Sequence, residues 1–500
     1  MDKFDCVVIG AGVGGLGAAA NLAKHGLKPL VIERGNLPGG TAASFVRGRF
    51  EFETTLHLWP DFLMAPTVKG VLGVQEKMVD LPRVATYAYK APDGTVVNYE
   101  VPLKEPELRQ KLKEVMPGCE KDIDTLLDLS IEMLSAVFPP ADGVVLSPEE
   151  FAAKFPHFAE FSQYTVAQAF EKLGTPKVLQ DFFYYVWFWE GPDIEDEMFI
   201  RFSAVFNMLY MNVTQYPVNR SYGITAELED IIRRNGGDIW YNTTVTKVNV
   251  EGGRVTGVET DHGDRINTGI VVSDISPKAL YGELISDRSQ VKDYTIQLHN
   301  SLKENICVCL VYMGLDAPME EIGLKTFHIF ATEERDQRLV QKGAHGPDGP
   351  YAINGICYNA GISDWTPEGT CALNFMIPMH GEALEGMSQK DYFEFKERIA
   401  ERTIKSFEEL LGIDLRSHIE ELEVSTPATI ARYNGHRNGA LGYQQYALNM
   451  EAFTSALYDQ ENYIDGLYLV GQFIHPFGYD NVNHGSAAGD KIAALVKGGK

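Results

Sequence analysis

Three groups of residues are of the right type and spacing to do chemistry. The first is Gly10-Ala11-Gly12-Val13-Gly14-Gly15, followed by Glu33 twenty-three positions after Gly10. In this G-x-G-x-x-G pattern Gly10 allows a tight turn, Gly12 lets the backbone approach a pyrophosphate, and Gly15 permits close helix–strand packing. The phosphates would face a helix N-terminus, where free N–H groups favour anions. A carboxylate at Glu33 accepts ribose hydroxyls and disfavours a 2′-phosphate, so NADP is not the expected ligand. The plainer reading is a glycine-rich turn without a ligand. The second group is His57, an imidazole able to take or give a proton near neutral pH, or else a satisfied core histidine. The third is the polar run His475-Pro476-Phe477-Gly478-Tyr479-Asp480-Asn481-Val482-Asn483-His484.

These groups need elements to position them. Phe4–Ile9 reads as a buried strand, Gly14–His25 as an Ala/Leu-rich helix and Leu30–Glu33 as a second strand. Gly26 and Pro29 end the helix. Strands joined through a crossover helix are parallel, which makes this unit the start of an open α/β sheet. Ile239–Val250 and Arg254–Glu259 flank Gly252-Gly253 as a hairpin, and Ile266–Val272 follows a second turn. Ile306–Tyr312, Thr326–Ala331, Ala352–Tyr358 and Cys371–Ile377 supply strands for a second sheet. Residues 104 to 215 turn helical and aromatic. Ser388 caps a long helix that stops at Gly412. Leu467–Val470 is a last strand, and Gly485–Val496 a last helix.

Composition bounds the function. The chain has 500 residues, enough for two or three packed domains, and carries 44 Lys plus Arg against 69 Asp plus Glu, a net charge of −25. Bulk attraction to nucleic-acid phosphates is excluded on that balance. The six cysteines form no CxxC pair and no disulfide framework, which fits reduced thiols in the cytoplasm. Cys307 and Cys309 fall on one face of a strand, too close for a redox pair of the usual kind. The first residues run straight into an apolar strand without a basic leader, and the most apolar later stretch, Phe202 to Val218, is too short and too polar to span a bilayer. A soluble, cytoplasmic protein is expected, with peripheral membrane contact left open. No metal-ligand spacing, G-x-S-x-G elbow or second dinucleotide motif is present.

Beyond Glu33-Arg34 lies Leu37-Pro38-Gly39-Gly40-Thr41-Ala42-Ala43-Ser44, then Phe50-Glu51-Phe52-Glu53-Thr54-Thr55-Leu56-His57. This second glycine pair resembles the extended signature of the flavin amine oxidase and phytoene desaturase superfamily. The run Glu51–His57 is most similar to the carotenoid isomerase and retinol saturase branch, with Glu53 where that branch usually has Asp and Thr41 where many members have Arg. The segment Gly223–Val258 and the block Gly466-Leu467-Tyr468-Leu469-Val470-Gly471 with the helix after it resemble the same superfamily. The resemblance implies FAD as cofactor, held by Gly10, Gly12, Gly14, Gly15, Glu33, Arg34, Gly39, Gly40, Thr41, Val245, Gly471 and Val482. It implies an α/β fold: a glutathione-reductase-like, Rossmann-type FAD domain from residues 1–90, 215–290 and 440–500, and a mixed-sheet substrate domain with a helical cap from residues 91–214 and 291–439.

The activity implied is hydride exchange between flavin N5 and a carbon–carbon double bond in an unsaturated lipid, isoprenoid or enone: saturation, desaturation or isomerisation. Amine oxidation is the alternative, and a flavin-free lipid chaperone like the GDP-dissociation inhibitors is a third reading that the intact glycines oppose. Phytoene desaturases fill the loop before the last helix with glycine, proline and apolar residues. Here Asp480, Asn481, His475 and Tyr479 stand there, and with His57 they are the candidate catalytic residues. A hydrocarbon gains nothing from them, because a buried unpaired polar group costs ~1–3 kcal/mol. They orient a polar substrate group, or else they bond one another. The run Phe182–Trp189 is a helix packed into the core, or an apolar tunnel with Glu190 at its mouth. The partners expected are an unsaturated hydrophobic or amphipathic small molecule and an external electron donor or acceptor.

Overall fold

A computed structural model describes residues 4–137, 146–212, 214–350, 352–443, 464–474 and 480–498. Strand β1 (Cys6–Ile9) is four buried apolar residues, and helix α1 (Val13–Lys24) returns the chain to β2 (Pro29–Ile32). Short apolar runs of this kind are covered on both faces, as parallel sheets require. The full sheet has five strands in the order Asp238–Trp240, β2, β1, Val271–Ser273, Leu467–Leu469, every neighbouring pair parallel.

Helix α1 is rich in glycine and alanine because the C-terminal helix, Asn481–Gly498, lies directly against it. A Cβ on Gly17 would stand 2.6 Å from the carbonyl oxygen of Val482, and one on Gly485 would stand 2.0 Å from that of Gly14. Asn21 Nδ2 donates to Ser486 Oγ across the seam at 2.9 Å. The C-terminal helix begins four residues before the Gly485 start expected from sequence, so Asn481, Val482, Asn483 and His484 form its first turn. Polar side chains suit that turn, whose N–H groups have no partner inside the helix.

Two apolar runs expected to be single strands are each divided between two sheets. Ile239–Val250 splits into Asp238–Trp240, in the parallel sheet, and Val245–Glu251, in an antiparallel sheet with Arg254–Thr260 and Arg265–Asn267. The break falls at Asn242, which has φ 50° and donates its amide to the Gly35 carbonyl at 2.8 Å. Ile266–Val272 likewise contains Arg265–Asn267 and Val271–Ser273, separated where Thr268 Oγ1 accepts from the Ile270 amide.

The mixed sheet has seven strands in the order Ile419–Ser425, Cys307–Leu315, Cys371–Met379, Ala352–Cys357, His328–Thr332, Val84–Lys90, Val96–Pro102. Only His328–Thr332 with Val84–Lys90 is parallel. Residue 90 therefore sits inside a hairpin of this sheet. Helix Gln389–Leu411, capped by Ser388 and ended by left-handed Gly412 as expected, packs Phe395, Ile399, Ile404 and Phe407 onto one face. The cap adds Glu120–Val137, Lys177–Tyr184 and Phe199–Tyr210. Phe183 and Phe206 stack at 4.6 Å, and Tyr185 bonds the carbonyls of Ala331 and Ile353. Phe182 through Trp187 are thus core packing. All six cysteines are buried and free.

Candidate active site

One cavity of about 850 Å³ runs from the glycine turn between β1 and α1 to an apolar chamber beneath the helical cap. At the glycine end Gly10 takes φ 96°, which favours glycine. A Cβ on Gly15 would stand 2.3 Å from the Gly10 carbonyl, and a Cβ on Gly14 would stand 2.9 Å from Gly471 Cα. The second glycine pair closes over the first: the Gly39 amide donates to the Ala11 carbonyl at 2.8 Å, and a Cβ on Gly40 would come 3.2 Å from Gly12 Cα. Glu33 leaves the end of β2 with its carboxylate fixed, Oε2 accepting from the Ala11 amide at 2.8 Å and Oε1 from the Gly35 amide at 2.6 Å. Arg34 donates to the Tyr433 carbonyl.

Gly10, Gly12, Gly14, Glu33, Arg34, Gly39, Gly40, Thr41 and Val245 all line the cavity. Gly15, Gly471 and Val482 stand behind it, where they set how closely the turn, the last strand and the C-terminal helix approach. A backbone cradle that side chains would fill, the N-terminus of α1 and a fixed ribose-side carboxylate together fit a dinucleotide.

Sequence reasoning missed Asp274, which follows the strand Val271–Ser273 and lines the same cavity. A Cβ on Gly12 would stand 2.3 Å from its Oδ2. Desolvation pushes this carboxyl up to about 7; the Gly15 and Gly12 amides oppose the rise and Glu33 adds to it. Its signal was an acidic residue at the carboxyl end of a parallel strand, where open α/β sheets place their ligands.

His57 follows strands β3 (Ser44–Arg47) and β4 (Phe50–Glu53), which form an antiparallel pair. Glu53, fully buried, ties the segment down: its carboxylate accepts from the Ser221 amide and hydroxyl at 3.0 Å each and from the Tyr216 hydroxyl at 3.2 Å. Thr41 joins this segment to the glycine pair by accepting from the Thr55 hydroxyl at 2.8 Å. His57 lines the cavity with 2% of its surface exposed. Its Nδ1 lies 2.9 Å from the Tyr358 hydroxyl, and Tyr358 receives the Asn374 side-chain amide at 3.3 Å. The Leu56 carbonyl, 3.5 Å from Tyr358, already accepts from Tyr216 at 3.0 Å. Tyr358 therefore gives its hydrogen to Nδ1, which leaves the ring hydrogen on Nε2. Nε2 has no hydrogen-bond partner among the described residues. Burial, helped by His328, lowers the imidazole to about 3, so it is neutral across physiological pH.

Asp480 and Asn481 also line the cavity, together with Asn483, whose Nδ2 donates to Asp480 Oδ1 at 2.5 Å and to the Leu63 carbonyl at 3.0 Å. Part of the polar run thus bonds to itself. His475 and Tyr479 lie outside the described residues, as does the Glu190 side chain. Of the described side chains in Phe182–Trp189, Trp189 alone lines the cavity, its ring 6.2 Å from that of His57. Leu63, Met64, Leu134, Val205 and Met208 are among the chamber's apolar side chains. Arg201, also missed from sequence, lines it too.

Residues 8–72 match the NAD(P)-binding Rossmann-like domain family. Prolycopene isomerase, chloroplastic, of Daucus carota is 25% identical over 492 residues, which cover 95% of this chain and 77% of that one. All-trans-retinol 13,14-reductase of Homo sapiens is 24% identical over 510 residues, 95% of this chain and 83% of that one. The chain is a homologue of both. These are the carotenoid isomerase and retinol saturase types that its motifs resemble. Among solved structures, putrescine oxidase bound to putrescine superposes with a TM-score of 0.67 at 17% identity over 99% of both chains. Cyclohexylamine oxidase from Brevibacterium oxydans gives 0.66 at 13% identity over 99% of this chain and 100% of that one. The chain therefore has the fold expected of it, a Rossmann-type domain joined to a mixed sheet under a helical cap. Among its described residues no helix is long and apolar enough to cross a membrane, and no group of three or more His, Cys, Asp or Glu is placed to hold a metal.

Proposed function

We propose that the protein is an FAD-dependent oxidoreductase or isomerase acting on a carbon–carbon double bond of an unsaturated lipid, isoprenoid or enone. The observation that carries this reading is one continuous cavity, lined at one end by a dinucleotide cradle and at the other by apolar side chains, with His57 in its wall. A bound flavin supplies a two-electron partner for hydride exchange with carbon. The cradle residues Gly10, Gly12, Gly14, Gly39, Gly40 and Thr41 would hold its diphosphate side, and Glu33 its ribose.

The chain's own residues then have separate tasks. The chamber holds a hydrocarbon and excludes water, which strengthens every polar contact inside it. His57 serves the chamber as a neutral ring and does not enter as an imidazolium. Asp480, just before the C-terminal helix, and Asn481, on its first turn, orient the substrate or hold the paired proton. With one dinucleotide motif in the chain, any net oxidation or reduction uses an external electron carrier; isomerisation needs none.

Amine oxidation is the weaker reading. An alkylammonium entering the chamber would meet mostly apolar side chains, which do not stabilise a cation. The test is anaerobic: FAD-loaded protein, in reduced and in oxidised form, is mixed with polyenes, unsaturated acids, enones and amines, and reoxidation of the reduced flavin, reduction of the oxidised flavin and double-bond geometry are followed. Reaction with an unsaturated compound is expected, lowered at least about tenfold in Asp480→Ala or Asn481→Ala. Turnover of amines alone would overturn the reading, and full turnover in both variants would remove their role.

A further inference from the structure

Tyr433 lines the cavity and is 73% exposed, the highest value among the large hydrophobic side chains of the described residues. A ring that borders a cavity and still faces water stands where the cavity opens to solvent. That opening lies beside the ribose-side carboxylate. Arg34, the residue after Glu33, donates to the Tyr433 carbonyl at 2.9 Å, and a Cβ on Gly435 would stand 2.6 Å from Arg34 Nη1. The Thr243 amide donates to the Glu33 carbonyl at 3.0 Å. Two segments thus attach to Glu33-Arg34, Thr243–Val245 and Tyr433–Gly435, and every residue of both lines the cavity.

Tyr433 does not come from the parallel sheet. It lies near the end of helix Pro427–Asn434, which follows the mixed-sheet strand Ile419–Ser425. The chain then turns back sharply. Gly435, Asn438 and Gly439 take φ 71°, 54° and 67°, and a Cβ on Gly439 would stand 2.3 Å from the Pro427 carbonyl oxygen. His436, in this turn, packs edge-on against Phe473 with centroids 4.7 Å apart, and both line the cavity. Phe473 follows Gly471 beyond the last strand of the parallel sheet. The turn is therefore pinned to the nucleotide side at two points, Arg34 and Phe473, while the Tyr433 ring stays open to water. The apolar chamber lies at the other end of the cavity, so this ring is placed for the cofactor and not for the substrate.

We infer that Tyr433 stacks on the adenine of the cofactor, so that the mixed sheet supplies one wall of the adenosine site and the bound cofactor ties the two sheets together. A dinucleotide whose ribose meets Glu33 carries its base one step further from the glycine turn, toward the opening where Tyr433 stands. Adenine is flat, and its π-face packs on an aromatic ring whatever its edge groups bond. Stacking removes both faces from water, a gain that adds to the ribose contact of Glu33 without a new charge. The inference rests on the reading of the glycine end as an FAD cradle.

The experiment is calorimetric titration of the full-chain apoprotein with FAD and with ADP, which carries the adenosine diphosphate half of FAD and no flavin. Tyr433→Ala should weaken both ligands at least about tenfold, the range of one base stacked on an aromatic ring. Tyr433→Phe keeps the ring and should bind both within about twofold of the unaltered protein. ADP affinity unchanged in Tyr433→Ala would overturn the stack and leave the cradle standing. So would a loss in Tyr433→Phe as large as in Tyr433→Ala, which would assign the effect to the hydroxyl. An unaltered protein that binds FAD but not ADP would also overturn the stack, since its adenosine end would then grip too little. Binding of neither ligand would overturn the stack and the cradle together. If Tyr433→Ala does not fold, Tyr433→Leu, apolar but without a ring, carries the same expectation.

Discussion

His57 Nδ1 and the Tyr358 hydroxyl, 301 positions apart in the chain, meet at 2.9 Å. His57 comes from the segment after the glycine turns, and Tyr358 directly follows the mixed-sheet strand Ala352–Cys357, so one hydrogen bond fixes the ring across the two halves of the site. Tyr358 is itself held, stacked on Trp365 with centroids 4.2 Å apart. Replacing Tyr358 with Phe keeps the stack and removes the hydrogen bond. The expected cost is about 1 kcal/mol of stability, with the ring hydrogen no longer confined to Nε2. Denaturant unfolding measures the first effect, and ¹⁵N histidine spectra the second.

The lowered His57 value predicts a pH effect of definite sign. The folded ring stays neutral to about 3 while the unfolded ring takes a proton near 6.5, so the stability involved is present above 6.5 and is lost as pH falls through that window. Replacing His57 with Gln should make the loss of stability between pH 6.5 and 5 smaller by about 2 kcal/mol. Unfolding curves at the two pH values check it. Identical losses in both proteins would mean that the folded ring protonates normally.

The glycine cradle predicts a loss of cofactor. A methyl group on Gly15 would collide with the Gly10 carbonyl at 2.3 Å and widen the turn. Gly15→Ala should retain less than about a tenth of the bound flavin of the unaltered protein. The 450 nm absorbance per chain is the readout, and full yellow colour in the variant would rule out the cradle.

Asp274 places a carboxyl beside the Gly12 and Gly15 amides that a pyrophosphate would also use. Below about pH 7 it is protonated, and above it is an anion facing another anion. FAD affinity of the apoprotein should therefore weaken as pH rises from 6 to 8, roughly tenfold. Asp274→Asn should flatten that dependence, as followed by quenching of flavin fluorescence.

Much of this was readable beforehand, for identifiable reasons. Gly10 through Glu33 combine strand, turn, helix and strand signals within one short span, and each signal is local. The four strands from Cys307 to Met379 are buried along their whole length, predominantly apolar and bounded by turns. The hairpin Val84–Lys90 and Val96–Pro102 also carried a signal, alternation around Pro92-Asp93-Gly94, but went unread beside the stronger glycine motifs. The split of Ile239–Val250 was not legible, because periodicity cannot say which of two sheets an apolar residue joins. Arg201 and Asp274 were invisible for a related reason. A single charge in an apolar helix, or one Asp after a strand, acquires meaning only when remote segments surround it.

The seam between α1 and the C-terminal helix has a consequence for biosynthesis. The sheet's outer strand, Leu467–Leu469, and the helix that backs the phosphate turn are the last described parts of the chain to leave the ribosome. A nascent polypeptide that has completed its glycine turn still lacks the wall behind it, so flavin capture has to await the synthesis of Leu467–Leu469 and Asn481–Gly498. Until then the oily chamber is open to whatever amphiphile arrives first.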